Sequence, residues 1–266
     1  MLCNFSPIAF SIAGINIHWY SLAYIFGILI ALQITLKLSK QFGDIFSAKD
    51  INDFVSYAIC GIIIGGRLGH VFFYDFAYFL NNPADVIKVW HGGMSFYGGF
   101  IGVIISTLVF CKLRKISFLQ FMDLWSIGVP IGLFFGRIAN FINGELLGKP
   151  SNIAWNVVFA DGIHRHPSQI YEAILEGVLL FCLMLIFAKI KYIKIKGLLC
   201  GVFCAGYGIA RFTAEFFREP DSNFSYTLLH ITGLNLNQYF SLFMFALGLF
   251  VLIVRLKDAK HTIIAV

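Results

Sequence analysis

Long apolar stretches separated by short polar connections run through almost the whole chain. Seven of them are long enough to cross a hydrocarbon core, which takes about 20 helical residues and at least about 17. They lie near residues 18–36, 54–74, 94–111, 121–142, 170–188, 197–217 and 238–254. This pattern predicts an all-α polytopic membrane protein with seven transmembrane helices, in which residues 1–266 form a single integral membrane domain.

The composition supports the same class. Of the 266 residues, 59% are hydrophobic and only 13% are charged, and the mean hydropathy is +0.81. Such values are typical of membrane proteins. The formal net charge of +6 is therefore no argument for a nucleic-acid partner.

Basic residues are divided unequally between alternate connections. The segments 37–53, 112–120, 189–196 and 255–266 hold 13 of the 20 lysines and arginines. The segments 1–17, 75–93, 143–169 and 218–237 hold only four. Because cytoplasmic loops carry the excess of positive charge, we expect the N-terminus outside and the C-terminus in the cytoplasm.

Three arginines, Arg67, Arg137 and Arg211, interrupt the predicted spans. An arginine at the bilayer centre costs roughly 2.5–3.5 kcal/mol on the insertion scale, so such residues usually face a polar interior. The predicted orientation places all three toward the outer ends of their helices, together with Asn140 and Glu215. We therefore expect a polar site in the outer half of the bilayer, and an anionic ligand is the simplest reason for it.

Helical spacing groups these polar residues. Arg211, Glu215 and Arg218 stand at positions i, i+4 and i+7 of one helix face, and Arg137 and Asn140 at i and i+3. A guanidinium can bind phosphate oxygens through two parallel N–H···O bonds. The spacing therefore favours a phosphate group as the ligand.

A plainer interpretation stays open for some of these residues. Arg211 and Glu215 can neutralise one another as a structural ion pair, and Arg67 can extend to the membrane surface. This interpretation applies less well to Arg137, for which the sequence predicts neutral amide partners.

The densest polar stretch is GRIANFINGELLG, residues 136–148. It begins in the fourth predicted helix and leaves the membrane through Asn140, Asn143 and Glu145, with a glycine between the last two that allows a sharp turn. Such a segment can enclose a lipid headgroup. A helix C-terminal turn would explain Asn143 but not the polar positions one turn deeper.

Three ring-bearing residues lie at predicted outer ends of helices. Tyr20 and Tyr97 stand near the outer starts of the first and third helices. His166, in RHPSQIYE, opens the fifth helix, where ordering the loop explains it at least as well as chemistry does.

These motifs together resemble the bacterial prolipoprotein diacylglyceryl transferases. The stretch 136–148 matches every fixed position of the family pattern G-R-x-[GA]-N-F-x-N-x-E-x-x-G. Five further segments match in order: HWYSLAY, GGRLGHVFFY, WHGGMSFYGGFIG, RHPSQIYEAILEG and YGIARFTAEFFREPD. Six ordered motifs over seven spans make this resemblance specific.

The resemblance implies an enzyme of the bacterial cytoplasmic membrane. Its expected partners are phosphatidylglycerol and preprolipoprotein signal peptides, and its expected reaction moves the diacylglyceryl group onto the thiol of the lipobox cysteine. Glycerol 1-phosphate leaves as a thioether forms. We expect neither a metal nor another cofactor.

The site residues follow from the pattern and the resemblance together. The catalytic candidates are Tyr97, Arg137, Asn140, Arg211 and Glu215. The candidates for lipid binding are Tyr20, Arg67, Arg137, Asn143, Glu145, Gly148, His166 and Arg218.

One position departs from the family. Tyr97 stands where the family usually has histidine, and a tyrosine with a pKa of about 10 is a poor general base near neutral pH. The attacking thiol titrates near 8.5, so it needs less help to lose its proton. We therefore expect Tyr97 to donate a hydrogen bond, while Arg137 and Arg211 stabilise charge on the departing phosphate. His91 is a less favoured substitute for the histidine.

Two other classes of protein fit the sequence less well. A lipid transporter or flippase would also present arginines to a headgroup, but it would be expected to bind near the midplane between internal repeats, and the two halves of this chain show none. A metal-dependent phosphatidyltransferase would need clustered aspartates, and the spans contain only Asp123.

Overall fold

The computed structural model describes residues 5–12, 14–42, 45–189, 195–220 and 223–264. Its α-helices are α1 Trp19–Ser39, α2 Ala48–Phe73, α3 Phe76–Asn81, α4 Phe96–Arg114, α5 Phe118–Ser126, α6 Val129–Asn143, α7 Ser168–Glu172, α8 Leu180–Lys189, α9 Leu198–Ala214, α10 Asn223–Thr232 and α11 Leu236–Ile264. A π-helical segment, Ala173–Leu179, joins α7 to α8. Three 3₁₀ turns cover Lys40–Phe42, Pro83–Ile87 and Val89–His91.

Two small antiparallel hairpins accompany the helices. Strands β1 Ile8–Ile12 and β2 Ile15–His18 pair with Ile12 opposite Ile15, and β3 Val157–Val158 and β4 His164–Arg165 pair with Val158 opposite His164. The sequence pattern predicted neither hairpin. Strands of two residues are too short for hydrophobic periodicity to detect, and those of four and five residues are at the lower limit of the detectable length.

Several helices are long and apolar enough to cross a membrane. Among the described residues four segments qualify: Trp19–Ser39, Ala48–Phe73, Ser168–Ala188 and Leu236–Asp258. The bent pair α5–α6 makes a fifth if it is one span, and α9 is a shorter apolar helix. The protein is therefore a mostly helical, multi-pass membrane protein.

The fourth predicted span is broken rather than continuous. Helices α5 and α6 meet at 47° after a gap of two residues, where one straight helix over 121–142 was predicted. Pro130 stands in the first turn of α6. Because a proline ring clashes with the carbonyl group four residues earlier, it prevents the helix from continuing past Ser126.

The chain divides into two compact units. Unit 1 contains Met1–Leu38 and Met122–Val266, and unit 2 contains Ser39–Phe121. In unit 2, α2 and α4 pack backbone to backbone: a Cβ added to Gly65 would lie 2.3 Å from the carbonyl oxygen of Gly98. Gly61, Gly65 and Gly69 of α2 recur every four residues and lie against Gly98 and Gly102 of α4, and small residues at this spacing allow helix backbones to approach closely.

In unit 1, α6, the α7–π segment and α9 lie side by side and supply the charged residues described below. Asp123, in the second half of α5, helps to fix α9. Its carboxylate accepts hydrogen bonds from the backbone N–H groups of Gly197 (2.5 Å) and Cys200 (2.8 Å). The carboxylate thus satisfies N–H groups at the start of α9 that have no partner within the helix.

Candidate active site

Arg137 on α6 faces two glutamates on the neighbouring helical segment. Its Nε and Nη2 atoms donate to Glu176 Oε2 at 3.0 and 2.9 Å, and its Nη1 lies 3.0 Å from Glu172 Oε2. Glu172 and Glu176 stand four residues apart, so both carboxylates project from one face. The guanidinium of Arg137 is thereby held by two carboxylates from successive turns of the neighbouring segment.

A second arginine joins the same carboxylates. Arg211 Nη1 contacts Glu172 Oε1 and lies 3.3 Å from Glu176 Oε1, while its Nη2 lies 2.6 Å from Glu215 Oε2. Arg218 Nη1 lies 3.2 Å from Glu172 Oε1. Glu172 is therefore an acceptor shared by three arginines.

We call these six residues the arginine–glutamate cluster: Arg137, Glu172, Glu176, Arg211, Glu215 and Arg218. Its formal charges balance, with three arginines against three glutamates. The glutamate side chains are fully buried, and those of Arg211 and Arg218 are 9% and 4% exposed. Pairing is what makes such buried charges tolerable. Arg137 is the most open member at 15%, so it marks the accessible side of the cluster.

The predicted partners of Arg137 were wrong. Its side chain pairs with carboxylates, not with neutral amides, and neither Glu172 nor Glu176 was among the candidates. The signal was present in the sequence: two glutamates four residues apart inside an apolar stretch need cationic partners. Spacing along one helix could not show which arginine on another helix supplied them.

Glu215 and Arg218 also differ from expectation. Helix α9 ends at Ala214, so Arg218 does not extend its face, yet its guanidinium still reaches Glu172. Glu215 pairs with Arg211, as the plainer interpretation held, but it also accepts hydrogen bonds from Asn235 (3.1 Å) and Asn237 (3.0 Å). The carboxylate thus links α9 to the start of α11.

A group of amides and hydroxyls lies at the C-terminal end of α6. Asn140 Nδ2 donates to Tyr20 Oη at 2.9 Å and to Glu145 Oε2 at 3.3 Å, and Asn143 Nδ2 donates to Glu145 Oε1 at 3.3 Å. The helix ends at Gly144, whose φ of +65° turns the chain back and brings Glu145 beneath the asparagines. This places four predicted site residues together, one helical turn beyond Arg137.

Gly148 and His166 lie against each other in the connection between α6 and α7. A Cβ on Gly148 would stand 2.1 Å from the carbonyl oxygen of His166, so only glycine permits this approach. The His166 ring packs on Phe217 at 5.2 Å, and its Nδ1 is 3.4 Å from Tyr171 Oη. These contacts favour the loop-ordering role for His166.

Arg67 lies in unit 2, on helix α2. It is buried, and its guanidinium donates to the carbonyl oxygens of Val86 (2.9 Å), Gly92 (2.6 Å) and Gly93 (3.2 Å) and of Asp85 (2.6 Å). These bonds do not test the predicted alternative of a side chain reaching the membrane surface, which stays a prediction. Arg67 holds the connection between α3 and α4.

Tyr97 is the second residue of α4, but its side chain lies outside the described part of the structure, as does that of His91. Their predicted roles stay predictions. Within the described ranges, no group of three or more histidine, cysteine, aspartate or glutamate side chains is arranged to hold a metal ion.

Comparisons with known proteins agree with these motifs. The family model described as prolipoprotein diacylglyceryl transferase matches residues 7–254. A phosphatidylglycerol–prolipoprotein diacylglyceryl transferase from Azospirillum brasilense is 47% identical over 225 residues, which cover 83% of this chain and 84% of that protein.

Proteins of the same name from two other bacteria cover more of the chain. The one from Rhodospirillum rubrum is 45% identical over 253 residues, or 93% of this chain and 91% of that protein. The one from Wolbachia sp. subsp. Brugia malayi is 43% identical over 263 residues, or 97% and 98%. With family motifs from one end to the other and relatives of this similarity over most of its length, the chain belongs to the prolipoprotein diacylglyceryl transferase family.

Proposed function

We propose that this protein transfers the diacylglyceryl group of phosphatidylglycerol to the thiol of the lipobox cysteine of preprolipoproteins. The observation that carries the proposal is the buried arginine–glutamate cluster in a member of this transferase family. With three arginines against three glutamates, the cluster leaves no unpaired charge in the membrane, and its most accessible member, Arg137, is the place where an anionic headgroup can bind.

Arg137 has capacity to spare for a phosphate. A guanidinium has five N–H groups; the two hydrogen bonds to Glu176 use two of them, and the contact of Nη1 with Glu172 is an ion pair. The lipid phosphate therefore binds at Arg137 without displacing Glu176. Arg211 lies deeper and shares Glu172, so it adds positive potential close to the same phosphate.

The reaction exchanges one bond for another. The cysteine thiolate attacks the glyceryl carbon that bears the phosphate, a C–S bond forms, and the C–O bond breaks with its electron pair going to the phosphate oxygen. Glycerol 1-phosphate leaves and carries away the negative charge, and the thiol proton passes to water or to that phosphate. Arg137 and Arg211 stabilise the charge as it develops on the leaving oxygen.

The amide group at the end of α6 orients the headgroup in this proposal. Asn140 and Asn143 donate to the Glu145 carboxylate, and Asn140 also donates to the Tyr20 hydroxyl; amides, hydroxyls and carboxylates can all bind the hydroxyls of a glycerol headgroup. Tyr97 donates a hydrogen bond to the lipid. Arg67, whose guanidinium is occupied by four carbonyl oxygens, acts on its loop instead of on the lipid.

The membrane arrangement completes the proposal. One domain with seven spans crosses the bacterial inner membrane, with the N-terminus outside and the C-terminus in the cytoplasm. The division of lysines and arginines between alternate connections supports this orientation. It places the arginine–glutamate cluster in the outer leaflet, where exported lipobox peptides emerge.

The decisive experiment uses the purified full-length chain, phosphatidylglycerol vesicles and a synthetic lipobox peptide. We expect mass spectrometry to show a diacylglyceryl adduct on the cysteine and release of glycerol 1-phosphate. A peptide with serine in place of that cysteine is the control and should stay unmodified. A flippase would move the lipid between leaflets and leave the peptide mass unchanged, so an unmodified cysteine peptide would contradict the proposal.

A further inference from the structure

Outside the arginine–glutamate cluster, another buried arginine, Arg165, ties together the loops around residues 148, 161 and 219. We propose that Arg165 is a positioning residue for the transfer reaction: it fixes the segments that carry Gly148 and Arg218 against each other and thereby sets where the Arg218 guanidinium stands. This inference rests on the proposed function, because its effect is read out as diacylglyceryl transfer.

Arg165 binds three acceptors from three places in the chain. Its Nη1 donates to the carbonyl oxygen of Gly148 at 2.8 Å and to Glu219 Oε2 at 2.6 Å, and its Nε donates to Asp161 Oδ2 at 2.7 Å. The residue is only 6% exposed, whereas the Asp161 and Glu219 side chains are 29% and 34% exposed. The buried Arg165 guanidinium is therefore the common hydrogen-bond donor that links these three parts of the chain.

The backbone around Arg165 forms a small three-segment ladder. Residues 147–149 lie between 164–166 and 217–219. The bonds of the ladder run from His166 N to Lys149 O (3.0 Å), from Lys149 N to Phe217 O (2.9 Å) and from Glu219 N to Leu147 O (3.0 Å). Gly148 and Arg218 pair directly as an antiparallel bridge. Three segments of this length have little packing of their own, so the side chain that crosses them decides whether they stay in register.

Two adjacent residues connect the ladder to the arginine–glutamate cluster. Glu219, which Arg165 binds, follows Arg218, whose Nη1 lies 3.2 Å from Glu172 Oε1. Glu172 also contacts Arg137 and Arg211. A shift of the 217–219 segment therefore changes the position of a positive charge beside the proposed phosphate site.

An arginine can position these segments better than a lysine could at residue 165. A planar guanidinium reaches three acceptors in different directions, which a lysine ammonium on a flexible stem does not hold in fixed geometry. The Asp161 carboxylate is favoured in its charged form by two hydrogen-bond donors, one of which is Arg165. Burial alone would raise the pKa of its carboxyl group, but the hydrogen bonds from Ile163 N–H and Arg165 outweigh that effect and hold the pKa below its usual value.

The first test compares Arg165→Gln and Arg165→Lys with a matched control, Arg114→Gln. Arg114 also pairs with two carboxylates, Asp50 and Asp53, but in unit 2. We expect Arg165→Gln to lower kcat by about 10- to 100-fold, as small misplacements of a reacting group do, with KM for phosphatidylglycerol changing less. Arg165→Lys should recover only part of kcat, and Arg114→Gln should keep it.

The second test asks whether Arg165 acts through Glu219. Glu219→Gln should reproduce much of the loss in kcat, and the double variant should be no slower than Arg165→Gln alone, because residues that act as one unit are non-additive. Hydrogen exchange should rise in peptides covering 147–151 and 217–219 in the Arg165 variants and stay unchanged in the α6 and α9 peptides.

The possible outcomes separate the two proposals. If the wild-type chain modifies no lipobox peptide, the proposed function fails. If the wild type is active and Arg165→Gln exchanges faster in the ladder but keeps full kcat, Arg165 serves only the fold of the loops and the inference is overturned. Multiplicative losses in the double variant would overturn it as well. If Arg165→Gln does not fold, Arg165→Lys and Glu219→Gln decide the question by the same measurements.

Discussion

The buried guanidinium groups of this protein are held by carboxylates from neighbouring helices, and that arrangement determines what a substitution does. Arg137 depends on Glu172 and Glu176 for its orientation, and Glu172 serves three arginines at once. Each charge therefore has two functions: it neutralises a buried partner and fixes the plane of a guanidinium. A substitution that keeps the charge but changes the shape tests the orienting function. A substitution that keeps the shape but removes the charge tests the neutralising function.

The first prediction tests geometry at constant charge. Arg137→Lys and Arg211→Lys should each lose at least about 90% of transfer activity, because lysine cannot make planar two-point contacts with a carboxylate and a phosphate. Both variants should still insert into the membrane. The matched control is Arg255→Lys, at an arginine that is 34% exposed and paired with Asp258. Near wild-type turnover in both cluster variants would refute the phosphate-binding role.

The second prediction tests charge at constant shape. Glu172→Gln leaves three arginines without their shared carboxylate, so we expect the free energy of unfolding to fall by about 3–5 kcal/mol, as when one partner of a buried pair is removed. Thermal unfolding in detergent measures the change. The control is Asp258→Asn, which breaks an exposed pair worth about 1 kcal/mol or less. Equal shifts in the two variants would mean that Glu172 contributes no more than a surface charge.

The third prediction concerns Tyr97. If its hydroxyl donates a single hydrogen bond to a charged group, Tyr97→Phe should lower the rate by no more than about 10- to 100-fold, since such a bond is worth roughly 1.5–3 kcal/mol. Tyr97→His should be tolerated.

The pH dependence of the rate separates the possible roles of Tyr97. An essential tyrosine base would make activity rise steeply above neutral pH with an apparent pKa that disappears in Tyr97→Phe. An unchanged profile in Tyr97→Phe would leave the substrate thiol as the titrating group. Complete loss of turnover with lipid binding intact would contradict the donor role.

At the scale of elements, each charged residue is placed by the way its helix ends or packs. Helix α6 begins at Val129, after the break that Pro130 imposes, and is capped by Gly144, and this short helix presents Arg137 and Asn140 to the neighbouring helices. The π-helical segment follows Glu172 directly and contains Glu176. These two elements together produce the contacts of Arg137 with Glu172 and Glu176.

The fourth prediction tests element packing in unit 2. Gly65→Ala places a methyl group 2.3 Å from the backbone oxygen of Gly98, and because a backbone atom cannot rotate away, α2 and α4 must separate. We expect a loss of at least about 1–3 kcal/mol in the free energy of unfolding. Gly136→Ala in α6 is the control, because its added methyl group meets no described atom within 4 Å. Equal stability of the two variants would refute the close-packing explanation.

At the scale of the whole molecule, the open question is how the chain crosses the membrane. The described residues provide four or five segments that qualify as spans by length and hydropathy, and the seven predicted stretches all overlap helices. An odd number of spans puts the two termini on opposite sides. The location of the site in the outer leaflet depends on that orientation.

The fifth prediction tests this orientation. Because lysines and arginines divide 13 to 4 between alternate connections, a reporter fused after residue 260 should be cytoplasmic and one inserted within 150–165 should be periplasmic. Alkaline phosphatase and fluorescent protein fusions read opposite sides and control for each other. The reverse labelling would put the site in the inner leaflet, away from exported peptides.

Much of this protein was determined by its sequence alone. The apolar stretches predicted where helices form, because a membrane span must satisfy its own backbone hydrogen bonds and therefore needs a long apolar run. The ordered motifs predicted the family. The grouping of Tyr20, Asn140, Asn143 and Glu145 was also expected, since they stand within one or two helical turns of a predicted helix end.

Only the tertiary structure decided which charges meet. Arg137 and Glu176 are 39 positions apart, and nothing in the periodicity of either helix specifies the rotation of one against the other. The break at Pro130, the close approach of Gly148 to His166 and the three acceptors of Arg165 likewise depend on contacts between distant segments. The sequence determined that buried charges must find partners, because an unpaired charge in a membrane is too costly, and the packing of the helices determined which partners they found.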